Sequence, residues 1–289
     1  MSFQLRKATR TKAKIRLGLS SISGGGKTFS ALLIAYGLCG DWDKIAVVDT
    51  ENNSADLYAH LGSYNVVPIS APFTPERYIQ AIDACHAAGM EVIIVDSITH
   101  EWDGSGGILE AADNMPGTSI TKWAKLTPRH QVFINAILQS PCHMITTARR
   151  KQDYNIIQEG GKTKVEKNGL REITREGFEY ELTINLQLDA MHNATASKDR
   201  TGLFAGKPEF IPSVETGKMI AEWCETGIDV QAEIRDAITK LGNCETIEEL
   251  RLFKETLQPF VTDDPEFKAA GNSRYMELKK LLAPSTQKN

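Results

Sequence analysis

The chain has 289 residues, of which 41% are hydrophobic and 24% charged, with a formal net charge of -4. This length points to a core domain with a smaller appendage, and the composition is that of a soluble globular protein. The small negative charge excludes a global cationic field for nucleic acid, so any DNA or RNA contact must come from local basic segments.

The first element in chain order is KIRLGLS at 14–20, which alternates and runs into glycines: strand, loop, then the helix KTFSALLIAYGLCG, closed by Gly40. KIAVVDTE at 44–51 reads as a buried strand ending in carboxylates. NVVPIS at 65–70 is a short strand, and TPERYIQAIDACHAAG at 74–89 a helix with Thr74 as N-cap, Pro75 in its first turn and Gly89 beyond its end. EVIIVDS at 91–97 and PCHMITTARR at 141–150 are further buried strands, and EYELTINLQLDA at 179–190 and NATASKD at 193–199 read as β-structure. Apolar strands alternating with helices predict a mainly parallel sheet covered on both faces, with an antiparallel edge from the later strands. Two connections read as long polar loops, Trp102 to about Pro128 and Arg150 to Phe178. Beyond Gly227 the pattern changes to amphipathic helices, with Thr246 and Glu249 as a capping box and PSTQKN as a frayed end. The reading divides the chain into a basic arm (1–13), an α/β core (14–226) and a small helical C-terminal module (227–289).

The longest apolar run, ALLIAYGLC, is too short to span a bilayer. The basic start, MSFQLRKATRTKAKIRL, lacks the apolar core of a signal peptide, so a cytoplasmic location without membrane attachment is expected. The five cysteines are scattered without metal-ligand spacing and read as reduced, mostly buried thiols. Adjacent Cys142 and His143 stand at a strand start without further ligands, which favours packing.

The segment Ser21-Ile22-Ser23-Gly24-Gly25-Gly26-Lys27-Thr28 matches the phosphate-loop form G-x-x-x-x-G-K-[ST] except for its first residue. Glycines let backbone N–H groups converge on phosphates, and the following helix adds its positive end. Ser23, Gly24, Gly25, Gly26, Lys27, Thr28 and Phe29 are therefore the expected nucleotide-binding residues. Lys27 reaches the terminal phosphates, and the Thr28 hydroxyl serves Mg²⁺. Asp96, after four apolar β-formers, is expected to hold the same Mg²⁺ through water. Ser97 follows it where many NTPases carry the catalytic glutamate. The base must then lie elsewhere, with Glu51 preferred over Glu101, which reads as a polar loop residue beside Trp102.

These motifs, with TPERYIQAIDA, VIIVDSITHEW, HMITTARRK, REGFEYE and ATASKDRTG, resemble RecA-type recombinase ATPases, and more closely phage-encoded RecA-like ATPases of recombination and annealing modules. The resemblance covers roughly residues 14 to 205. It implies a RecA-like P-loop NTPase core, ATP with Mg²⁺, and a catalytic glutamate at Glu51. It also implies stacking of Tyr58 on adenine and a γ-phosphate sensor at Thr147, with Arg149 second, although the family carries an amide there. Lys198 and Arg200 match a cation pair that reaches the phosphate bound by a neighbouring subunit, which in such enzymes is worth about 10³–10⁵ in rate. Residues two apart on a strand share a face, so both can reach one phosphate.

The family binds single-stranded DNA through the connections after the Asp96 strand and the sensor strand. The second is locally cationic, and Arg149, Arg150, Lys151, Lys162, Lys164 and Lys167 are expected on phosphates, with Tyr154 on a base. Arg6, Lys7, Arg10 and Lys12 of the arm could add phosphate contacts or serve subunit exchange. The implied partners are single-stranded DNA, further copies of the chain arranged head-to-tail, and a single-strand-binding or annealing protein, in the host cytoplasm. A helicase or helicase-loader ring, or a nucleotide-gated interaction protein with little turnover, are the alternatives.

Overall fold

The computed structural model describes residues 8–159 and 162–282, with side chains for 8–153 and 169–281. Arg6, Lys7 and the PSTQKN end lie outside the described residues. The chain divides into two compact units, one of Lys14–Cys224 and the other joining Glu225–Asn289 to Met1–Ala13.

In the larger unit an eight-stranded sheet has the order β3-β2-β4-β5-β1-β7-β8, with β6 paired to β5 off this path. The strands are β1 (Arg16–Ser21), β2 (Ile45–Asp49), β3 (Asn65–Pro68), β4 (Val92–Asp96), β5 (His143–Glu159), β6 (Lys162–Glu172), β7 (Ile184–Leu188) and β8 (Ala194–Asp199). The central pairings are parallel, while β8 runs antiparallel to β7 and β6 to β5. Before their terminal aspartates β2 and β4 are apolar throughout, because the sheet is buried on both sides. Ile45, Val47, Val92 and Ile94 enter one core cluster with Leu32 and Ile34, and Ala46, Val48, Ile93 and Val95 the other with Tyr78 and Phe133. Each such Ile or Val contributes about 1.5–3 kcal/mol by burial. The first face is covered by α1 (Lys27–Cys39) and α7 (Val214–Glu225), the second by α2 (Pro75–Ala87) and α5 (Ser119–Leu138). Gly40 ends α1 in the left-handed region, φ 71°, with its N–H on Tyr36 O.

The two connections expected as loops are structured. The first folds into α3 (Thr99–Asp103), α4 (Ile108–Asn114) and α5, with Pro128 inside α5 rather than at a boundary. Burial of Leu126, Phe133, Ile134 and Ile137 along one side outweighs the single N–H that proline removes. Ile108, Ala112 and Leu126 form a small core of their own, flanked by Trp102 and Trp123. The second continues β5 past Arg149 into a hairpin with β6, from Arg150↔Glu172 to Glu159↔Lys162. Residues 179–181, read as the start of a strand, lie in the helical turn α6 (Phe178–Glu181), and β7 starts only at Ile184.

The smaller unit packs α8 (Val230–Gly242), α9 (Ile247–Thr256), α10 (Pro259–Thr262) and α11 (Pro265–Leu282) around Ile234, Leu241, Leu250, Val261 and Phe267. Thr246 caps α9 by accepting from Glu249 N at 3.1 Å, while the Glu249 carboxylate reaches one residue past the N-cap to accept from Glu245 N at 2.8 Å, so the expected capping box is only half made. The described part of the N-terminal segment pairs with this unit: Ile228 N donates to Arg10 O and Lys12 N to Ile228 O, each at 3.0 Å. Arg10 also donates to Thr226 Oγ1 at 3.1 Å, and Lys12 lies 2.6 Å from Glu225, so both cations are engaged within the unit.

Candidate nucleotide site

The sheet register brings the sequence-predicted residues to one edge. Ser21 lies opposite Arg149, and Asp49 opposite Asp96, so β1, β4 and β2 end at the edge where β5 runs on into its hairpin. Strand β5 stands between the phosphate-loop strand and the Asp96 strand. Glu51 therefore reaches the site from two strands beyond β5 and not from beside the loop.

Gly24 and Gly26 turn the loop at φ 80° and 78°, where a side chain would cost about 1–2 kcal/mol each. Gly26 caps α1 without any side-chain bond, and no acidic residue stands in the first turn, so the first N–H groups are left for an anion. Ser21 is fully buried at the end of β1, and its hydroxyl donates to Leu188 O at 2.8 Å. A methyl group at Gly25 would fall 1.9 Å from that hydroxyl oxygen. The serine that replaces the first loop glycine thus fills the space that Gly25 leaves open. Ser23 is exposed on the loop.

Lys27 Nζ donates to Ile22 O at 3.0 Å. Burial lowers its pKa, against the opposing effect of Asp96 and Glu51. Phe29 and Tyr58 meet with ring centroids 5.8 Å apart. Together with Gly24, Gly26, Lys27, Thr28 and His192 they line a cleft of about 260 Å³.

Asp96 is buried, accepting from Thr28 Oγ1 and from Thr147 Oγ1 at 2.5 Å each. Burial raises its pKa, and the two hydroxyls only partly counter this. Thr147, expected from the sequence as the sensor, thus bonds the carboxylate beside the loop from β5. Glu51 follows Thr50 beyond β2. The Asp49 carboxylate fixes this turn, accepting from Glu51 N at 2.6 Å and Ala55 N at 2.9 Å. The Glu51 carboxylate accepts from Ser97 Oγ at 3.0 Å and is clamped on both oxygens by Arg149, whose Nε lies 2.9 Å from Oε1. Burial pushes the Glu51 pKa up, but Arg149, His100 and Ser97 together hold it below its ordinary value. Thr50 Oγ1 contacts His100 Nδ1 at 2.8 Å, and burial lowers the pKa of His100.

Glu101 is not a loop residue. It lies in α3, is 1% exposed, and both its oxygens sit 3.0 Å from His130 Nδ1 in α5. Helix-to-helix packing of the segment read as a loop buries it, and burial raises its pKa.

Lys198 and Arg200 both donate to Tyr180 O, Arg200 at 3.1 Å. Lys198 pairs with Asn185, which in turn lies opposite Gly18 on β1. Because β8 is antiparallel, this pair stands toward the amino-terminal edge of the sheet, away from the loop of its own chain. Arg150 donates to Leu170 O at 2.6 Å, and Lys151 Nζ lies 4.0 Å from Asp103. Tyr154, Lys162, Lys164 and Lys167 fall on the β5–β6 strands, and their side chains lie outside the described residues.

Sequence reasoning missed Ser97, His100 and His192 at this site. Only pairing of β4 with β2, and closure of β7 onto β8, brings them here. The one local signal at His192 is a turn-length gap between two strands.

The cradle suits a nucleotide: Gly25 and Gly26 face side chains that a Cβ would strike, Gly24 turns the loop at a positive φ, and the helix start has no side-chain cap. Among the described residues no cluster of three His, Cys, Asp or Glu side chains could hold a metal alone. The oxygen donors Thr28 and Asp96 would hold Mg²⁺ together with the nucleotide phosphates, where it would supply charge neutralisation. Among the described residues no helix is long and apolar enough to cross a membrane. No curated protein matches the sequence. A family model described as an AAA domain matches residues 13–211, more than half of the chain, and this protein belongs to that family of P-loop NTPases.

Proposed function

We propose that this AAA-type P-loop ATPase acts on single-stranded DNA in recombination or annealing, hydrolysing ATP between head-to-tail copies of itself. The observation that carries this reading is Arg149. It stands where β5 leaves the sheet to become the cationic hairpin, and its guanidinium clamps Glu51. DNA on the hairpin would then act directly on the carboxylate proposed as general base.

In this mechanism Lys27 and the loop N–H groups hold the phosphates, and Asp96 with Thr28 orients them. Glu51, released from Arg149, positions the attacking water and takes its proton. Tyr58 offers a face to the base, and Thr147 senses the terminal phosphate through Asp96. Lys198 and Arg200 point away from their own loop, so a phosphate they reach belongs to another copy. The absence of a glutamate after Asp96 further supports Glu51 as base over the residue at 97.

The test is ATP turnover per subunit, measured against protein concentration with and without single-stranded DNA. The rate should rise with concentration and with DNA, and added salt should reduce the DNA effect. Arg200→Ala should bind ATP but hydrolyse it slowly, and mixing it with Lys27→Ala should restore part of the rate. A rate independent of concentration and DNA, with no rescue, refutes the reading. The clamped Glu51 favours one alternative, a nucleotide-gated interaction protein, which would bind ATP with little turnover under all of these conditions.

A further inference from the structure

The turn between β7 and β8 closes against the phosphate loop. Its backbone is tightly fixed. Asp189 Oδ1 accepts from Met191 N and Asn193 N at 2.8 Å each, and Oδ2 from Asn193 Nδ2 at 3.1 Å. Asp189 N donates to Asn193 O at 2.9 Å. Next to this turn, Leu188 O is held by the Ser21 hydroxyl at the root of the loop. Within the turn His192 adopts φ 68°, a left-handed conformation that histidine enters at a cost and that turns elsewhere give to glycine. The result is that its ring meets the loop: a methyl at Gly26 would lie 2.2 Å from His192 Nδ1 and 3.0 Å from Cε1. Gly26 is the residue that opens α1, where the unpaired N–H groups gather. His192 lines the same cleft as Lys27, Phe29 and Tyr58. The two aromatic rings already offer apolar surface there, while the imidazole adds a donor beside the anion-binding N–H groups.

We propose that His192 is a nucleotide-contacting residue whose imidazole donates a hydrogen bond to a phosphate oxygen of the chain seated at the start of α1. The fixed turn holds the ring at the loop before the nucleotide arrives, so little side-chain entropy is lost on binding. The inference rests on the loop being the nucleotide site.

The test is competition by ADP and by inorganic tripolyphosphate against a fluorescent nucleotide, on the full chain and its variants His192→Gly, His192→Asn and Lys27→Ala. Glycine removes the ring and relieves the left-handed backbone, so the nucleotide-free protein should unfold at the same or higher urea while binding falls. For both competitors the loss expected from one hydrogen bond to a charged group is about tenfold or more. Asparagine tolerates the same backbone and keeps an N–H donor, so it should recover most of the loss. Unchanged affinity for both competitors in His192→Gly, with Lys27→Ala weakened, overturns the assignment of His192 alone. Weaker ADP with unchanged tripolyphosphate overturns the phosphate contact, since the ring would then meet the nucleoside. Unchanged binding in Lys27→Ala overturns the nucleotide reading of the loop itself.

Discussion

If Ser21 and Gly25 share one volume, their substitutions must couple, and the structure gives the size. In Gly25→Ala the new methyl would lie 1.9 Å from Ser21 Oγ, 2.8 Å from Ser21 Cβ and 3.3 Å from Ile22 O. Overpacking of this kind costs about 1–3 kcal/mol. Ser21→Gly removes the bond to Leu188 O, about 1 kcal/mol, and adds about 0.5–1 kcal/mol for glycine in a strand. In the double variant both Ser21 atoms are gone and only the Ile22 contact remains, so the overpacking cost should nearly vanish. The double variant should therefore lose only about 1.5–2 kcal/mol, with a favourable coupling of about 1–3 kcal/mol. Urea unfolding of the four nucleotide-free proteins measures this, and ADP titration of the same set shows whether the loop keeps its cradle. Additivity within about 0.5 kcal/mol, or a Gly25→Ala protein as stable as the parent, would show that Ser21 turns aside and that the two residues do not share space.

Stability should fall with pH because of His143. Burial, then Lys14 and Arg16, lowers its pKa from 6.5 to about 3, and its Nδ1 accepts from Ile15 N at 3.1 Å. Below about pH 6.5 the unfolded chain gains a proton that the folded one refuses, so stability is lost by up to about 1.4 kcal/mol per pH unit down to the folded pKa. The urea midpoint should drop between pH 7 and 5, and His143→Asn, which keeps an acceptor, should flatten that drop; equal slopes refute the cause. Glu51→Gln should keep ATP binding and lose turnover by about 100-fold or more, whereas Glu101→Gln should keep turnover and lower the melting temperature, because its partner His130 is buried. The opposite assignment of the two effects would identify Glu101 as the base. Arg149→Ala leaves the half-buried Glu51 without its main cation, so the acidic limb of kcat/KM measured without DNA, which reports the free enzyme, should move to higher pH. An unmoved limb would mean that the clamp is absent in the free enzyme.

The local physics of the chain determined the strands, the first helices and the phosphate loop. Apolar runs such as VIIVD can be buried only in a sheet covered on both faces, and Gly-Lys-Thr between strand and helix leaves few other local solutions. The carboxylates at the strand ends were legible for the same reason, since a strand that ends in Asp or Glu must deliver it to the sheet edge. The segments from Trp102 to Pro128 and from Arg150 to Phe178 were not legible as helix and hairpin. Their apolar residues are sparse, and the contacts that order them, Trp102 on Trp123 and β5 on β6, are made only after folding. Tertiary structure alone decided which side chains meet. Strand order sets β5 between β1 and β4, which brings Arg149 to Glu51, 98 residues away in sequence. The antiparallel return of β8 places His192 at the loop and Lys198 toward the far edge, a separation that depends on strand direction and that no local pattern encodes.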